Sequence, residues 1–141
     1  MKKTVTTIIS AMLALICILS LASCGKTDTE KLWANATYGE DTELGSGAIT
    51  VAVEVKAGER AVTFTLHTDK TTLGDALLEH SLIAGDVAQY GLYVKVVNGI
   101  TADYDVNQSY WGFYQDGEYL MTGVDGTEIA DGEHYEIVYS K

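Results

Sequence analysis

The sequence predicts an α+β fold, a mixed β-sheet with one helix packed across it. Three observations carry this. Residues 49–56 and 62–67 alternate apolar and polar side chains with the period of two that marks half-buried strands. Residues 72–82 have helical spacing behind an N-cap signal. Residues 108–121 hold two aromatic-rich runs flanking Asp116-Gly117, a pair suited to the positive φ of a type I′ hairpin turn.

Each element can be justified in turn. Ile49, Val51, Val53 and Val55 alternate with Thr50, Ala52, Glu54 and Lys56. After the short loop Ala57-Gly58-Glu59, Val62, Phe64 and Leu66 alternate with Thr63, Thr65 and His67, which completes an antiparallel pair. Thr72-Leu73-Gly74-Asp75 fits a capping box, and Leu73, Ala76, Leu77 and His80 share one helical face. The helix is expected to end near Leu82, with Gly85 as a breaker. A strand then enters through Gln89-Tyr90-Gly91-Leu92-Tyr93 and ends at Asn98-Gly99, and residues 101–107 read as a polar loop. In the hairpin, Trp111, Phe113, Leu120 and Thr122 share one face, and Tyr110, Gly112, Tyr114, Tyr119 and Met121 share the other. After a turn-rich segment, the last strand places Tyr135, Ile137 and Tyr139 on one side. A sheet with an apolar face needs a covering layer, and the helix supplies it. The order of elements suits a β-grasp-like arrangement.

The second face of the hairpin carries three tyrosines. Cross-strand pairs such as Tyr114 with Tyr119 stabilise a hairpin by roughly 0.2–1 kcal/mol, which accounts for some of them. The alternative is a ligand platform, with Gly112 leaving a flat gap between rings and hydroxyls meeting amides of a bound molecule.

The N-terminus reads as a leader. Lys2 and Lys3 precede an apolar run over residues 8–21, too short for a comfortable membrane span and typical of a secretory signal. The run ends in Leu21-Ala22-Ser23-Cys24-Gly25, which resembles the bacterial lipoprotein signal. The resemblance implies that residues 1–23 are removed and that Cys24 is lipidated. Two or more acyl chains hold a protein stably at a membrane. The expected location is the extracytoplasmic face of the bacterial cell membrane. Residues 24–47 are expected to form a flexible tether, Gly25 to Glu30, and an arm carrying Trp33, Tyr38 and Leu44 against the domain. Residues 48–141 form that domain.

The formal net charge of −11 repels nucleic acid phosphates and anionic head groups. The two cysteines, Cys17 and Cys24, both fall in or beside the leader, so no disulfide or thiolate metal site is expected in the domain. Asp103, Asp105 and Asn107 hint at a calcium loop, but Gln108 and Tyr114 stand where an EF-hand needs glycine and glutamate. His67, His80 and His134 show no ligand spacing. There is no nucleophile elbow, phosphate loop or dinucleotide fingerprint, so no enzyme is expected.

Four blocks resemble the C-terminal domain of the transcobalamin and intrinsic factor family and its small bacterial lipoprotein relatives. They are Thr72-Leu73-Gly74-Asp75-Ala76-Leu77; Tyr90-Gly91-Leu92-Tyr93-Val94 with Val97-Asn98-Gly99; Ser109-Tyr110-Trp111; and Gly123 through Asp131-Gly132-Glu133 to Tyr139. The resemblance implies a β-grasp domain that closes over cobalamin from one side, with the ligand near Tyr90, Gly91, Tyr93, Tyr110 and Trp111. Tyr114 and Tyr119 of the hairpin extend that candidate site. Cobalamin or another corrinoid would be a bound ligand, not a catalytic cofactor. The family's helical domain is missing from this sequence, so a transporter or second binding subunit would complete the site. The other reading is a structural domain of the cell envelope that docks protein or glycan.

Overall fold

The computed structural model describes residues 27–141. Cys24 and the expected signal segment lie outside them. The chain opens with α1 (Asp28–Trp33), then β1 (Thr42–Gly45), β2 (Ile49–Ala57) and β3 (Arg60–Thr68). Helix α2 (Leu73–Glu79) leads to β4 (Ile83–Ala88), β5 (Gly91–Val97) and β6 (Ile100–Thr101). A one-turn helix α3 (Tyr104–Asn107) precedes β7 (Tyr110–Gln115) and β8 (Glu118–Tyr119). A 3-10 turn at Val124–Gly126 and β9 (His134–Ser140) complete the chain.

The main sheet has six strands in the order β1-β3-β2-β9-β7-β8. It is mixed: β1 runs parallel to β3 and β2 parallel to β9, while the β2–β3, β7–β9 and β7–β8 pairs are antiparallel. Register places Val53 beside both Phe64 and Tyr135, and Val55 beside both Val62 and Ile137. Those side chains form one buried apolar face. The opposite face is polar, with Lys56 reaching Glu136 at 2.8 Å and Glu54 at 3.5 Å. The fold class is therefore α+β, as the alternation implies.

Helix α2 covers the apolar face. Thr72 caps it by accepting from the Asp75 amide at 3.2 Å, and Leu73, Ala76 and Leu77 are fully buried. Each buried leucine contributes about 1.5–3 kcal/mol. The helix stops at Glu79, one turn short of the expected Leu82. Ser81 takes a positive φ of 55° and Leu82 turns inward, its amide still bonded to Leu77 O.

Three features depart from the sequence reading. Residues 83–88, expected only to hold a helix breaker, form β4, and β4-β5-β6 make a separate three-stranded sheet. The segment expected as a tether begins a capped helix, because Thr27 and Glu30 exchange side-chain and backbone hydrogen bonds in a capping box. The polar loop at 101–107 contains α3, capped by Asp103.

Trp33 and Tyr38 pack against the sheet. Trp33 is 6% exposed, its Nε1 donates to Ala57 O at 2.8 Å, and the Arg60 guanidinium lies 4.7 Å from its ring centre. Tyr38 exchanges two 2.9 Å hydrogen bonds with the Asn98 side chain and meets Phe64 edge-on. Among the described helices, none is long and apolar enough to cross a membrane.

Candidate functional site

Asp116 and Gly117 adopt φ of 48° and 84°, so the predicted turn closes the β7–β8 hairpin. Tyr114 pairs with Tyr119 across it, the rings meeting edge-on at 5.3 Å. The pleat then sorts side chains as expected. Trp111 turns inward, 6% exposed, donates from Nε1 to Lys95 O at 3.2 Å and meets Tyr139 edge-on. Phe113 and Leu120 pack on the core beside it. Tyr110 and Tyr119 face outward, 43% and 54% exposed.

β8 is only two residues long. Beyond Leu120 the chain leaves the sheet and passes to the 3-10 turn, while β5 of the second sheet stands alongside β7. The space between them is an open hollow of about 550 Å³. Its walls are Leu92, Tyr93 and Val94 from β5, Tyr110, Trp111 and Phe113 from β7, and residues 119–124. The hollow thus takes inward-facing Trp111 and Phe113 together with outward-facing Tyr110 and Tyr119, because it lies at the edge of the strand and not over one face.

Of the residues predicted to bind ligand, Tyr93, Tyr110, Trp111 and Tyr119 line the hollow. Tyr114 does not; its ring folds back over Gly112, where a Cβ would stand 3.1 Å from Cε2. The flat gap expected at Gly112 is filled by that ring. Tyr90 points into solvent at the β4–β5 turn, 91% exposed, and neither it nor Gly91 is in the wall. The arm at 31–47 packs on Ala57, Phe64 and Asn98, away from the tyrosines.

Gly91 has a structural part to play. At φ +110° it lets the Asp125 carboxylate approach, and a Cβ there would lie 3.0 Å from Asp125 Oδ2. The same carboxylate accepts from the Leu92 amide at 2.8 Å and abuts Gly74 in α2. Asp125 therefore ties the β5 wall to the helix. In the sequence it is one residue of a turn-rich segment. The signal was the pair of glycines that leave room for it.

No lysine, arginine, histidine or carboxylate is among the lining residues. Lys95, just beyond the wall, is held by Asp86 at 2.8 Å and Asp103 at 3.8 Å. The Asp86 hydrogen bond, with the nearby charges, raises its pKa. In the suspected calcium loop one Asp103 oxygen accepts from the Asp105 amide at 3.0 Å and Asn107 Oδ1 from the Ser109 amide at 3.1 Å, as in a local helix cap. Among the described residues, no three histidine, cysteine or acidic side chains converge as a metal site would require.

Residues 70–141, just over half the chain, match the domain family of unknown function DUF4430. The chain belongs to that family. A solved structure similar to it is that of a "putative metal binding protein" from Ruminococcus gnavus ATCC 29149. It is 30% identical, with a TM-score of 0.64 over 67% of this chain and 98% of that one. Haptocorrin in complex with Cbi shares the fold at 20% identity and a TM-score of 0.54 over 66% of this chain. This chain spans only 25% of the haptocorrin chain. No curated protein matches.

Proposed function

We propose that this protein is a lipid-anchored, extracytoplasmic capture module. On this reading it takes a flat amphipathic molecule of the corrinoid kind into the hollow between β5 and β7. The observation that carries the reading is the lining itself, which is aromatic and aliphatic, has phenol hydroxyls at its rim and holds no ionised group. Such a surface suits a broad apolar plate with amide arms. The fold shared with haptocorrin, a protein solved with Cbi, supports the choice of ligand. Metal capture is the less favoured reading, since the described side chains bring no cluster of ligands together.

The direct test is calorimetry with cobinamide and with cobalamin. Heat of binding should appear with at least one, and Tyr110→Ala and Tyr119→Ala should each weaken it by about tenfold, as loss of an aromatic anchor does. Both side chains are half exposed, so the fold should survive. Silence with both corrinoids removes the reading. The anchor has its own test: cells labelled with radioactive palmitate should mark the wild type and not Cys24→Ala. Equal labelling would refute lipidation at that residue.

A further inference from the structure

The hollow lies against a strand edge. The hairpin turn pairs Gln115 with Glu118, and the Leu120 amide donates to Phe113 O at 2.8 Å. These contacts fix the alternation: Gln115 and Phe113 turn their main-chain groups toward β8, and Tyr114 and Gly112 turn theirs toward β9. Trp111 has the parity of Phe113, so its N–H and C=O also point to the β8 side. On that side the chain has already left, since pairing with β8 ends at Tyr114. On the other side β9 continues to Tyr110. β7 is therefore paired along its whole length on one side and along only part of it on the other. Buried main-chain groups are nearly always hydrogen-bonded. Trp111 is 6% exposed, and beside it is the hollow.

Two other edge segments are guarded. Alongside β1, Asp41 accepts from the Thr63 amide at 2.8 Å and Arg60 reaches Gly39 O, closing the part of β3 that β1 does not cover. β4 has a register shift at Ala84/Gly85 and an outward charge, Asp86. Bulges and charges of this kind are how sheets prevent strand addition. The free half of β7 has neither a charge nor a bulge, only Tyr110 and Trp111.

We infer that the free edge of β7 is a strand-addition site for an extended, basic segment of a partner protein. Main-chain bonds would form at Trp111, and alternate apolar side chains would enter the hollow. The basic character follows from charge. The whole chain carries −11, the lining has no cation, and Asp116 and Glu118 are exposed at the hairpin turn, beyond the part of β7 that β8 covers. The segment's side chains would enter the same hollow that the corrinoid reading uses, so the two occupants would compete there, whereas the main-chain groups of Trp111 are an observation independent of that reading.

The probe is an acetylated, amidated heptapeptide, Lys-Val-Lys-Tyr-Lys-Val-Lys, with a control N-methylated at alternate residues so that one edge cannot donate. Amide exchange is followed by NMR on the full chain. In the free protein the Trp111 amide should exchange faster than those of Gly112 and Tyr114. The peptide should slow Trp111 exchange at least tenfold, and the N-methylated control should not. Neutralising the hairpin turn with Asp116→Asn and Glu118→Gln should weaken binding by up to about twofold each. A Trp111 amide already protected in the free protein would overturn the inference, as would peptide binding that leaves it unprotected. Failure of cobinamide to bind would not touch it.

Discussion

Replacing Trp33 tests whether the arm belongs to the folding unit. The indole is almost fully buried, its Nε1 reaches Ala57 O at 2.8 Å, and Arg60 stacks on its ring at 4.7 Å. Trp33→Ala removes the packing and the hydrogen bond together, and large-to-small changes of this kind cost about 3–5 kcal/mol. Trp33→Phe keeps most of the apolar bulk but leaves the Ala57 carbonyl without its donor, at about 1–3 kcal/mol. For a domain of this size each kcal/mol moves Tm by about 4 °C. Trp33→Ala should therefore lower Tm by about 12–20 °C, and Trp33→Phe by about 4–12 °C. Urea and thermal unfolding followed by circular dichroism would measure both. A loss below about 1 kcal/mol for Trp33→Ala would show that the sheet folds without the arm and would refute the reasoning.

The remaining expectations are these. Tyr135 is fully buried and its hydroxyl donates to Glu133, which together with the Ala130 amide holds the Glu133 carboxyl below the usual range. A carboxyl with a lowered folded pKa adds stability above its unfolded pKa, near 4.3, and that stability is lost as pH falls through the folded value. Tyr135→Phe should cost about 1 kcal/mol at neutral pH, and the difference from wild type should shrink below about pH 4, read from urea midpoints across pH. Asp125→Ala should cost about 1–2 kcal/mol in the same assay, because the Leu92 amide loses its acceptor. Gly45→Ala should destabilise by at least about 1 kcal/mol, since φ is +84° and the new Cβ would stand 2.3 Å from His67 O. Tyr114→Ala should lower Tm by removing the ring contact with Tyr119, yet leave corrinoid affinity within about twofold, because Tyr114 is not in the wall.

The period-two strands were legible because each of their residues is sorted by one sheet face. Val51, Val53 and Val55 against Val62, Phe64 and Leu66 is a pattern that only one register satisfies. The hairpin was legible from Asp116-Gly117. β4 was not, because residues 84–88 are all exposed and no burial pattern marks them. Its pairing comes instead from β5 folding back through Gly91, and Gly85 lies under Tyr93 O, where any Cβ would clash at 1.9 Å. The capping box at Thr27 and Glu30 was in the sequence, but polar composition outweighed it. The candidate site was half legible. Alternation places Tyr110 and Tyr119 correctly on an outer face. It cannot say that β8 ends after two residues, and that early end is what moves the hollow from the face to the edge.

The shape of the hollow bears on how a ligand would be held. Small-molecule sites usually bury about 70–90% of their guest. Here one side is open, and the exposed rim, with Tyr110, Tyr119 and the 90% exposed Met121, is the part a ligand would leave wet. Aromatic anchors contribute most when surrounding contacts exclude water from them. A corrinoid held in this hollow alone would therefore keep its rim wet and be bound weakly. The free edge of β7 lies at that boundary, so a partner strand paired at Trp111 would dry the same tyrosines that a corrinoid plate would touch. Because both would enter the same hollow, the peptide segment should weaken corrinoid affinity, and by linkage the corrinoid should weaken peptide affinity by the same factor.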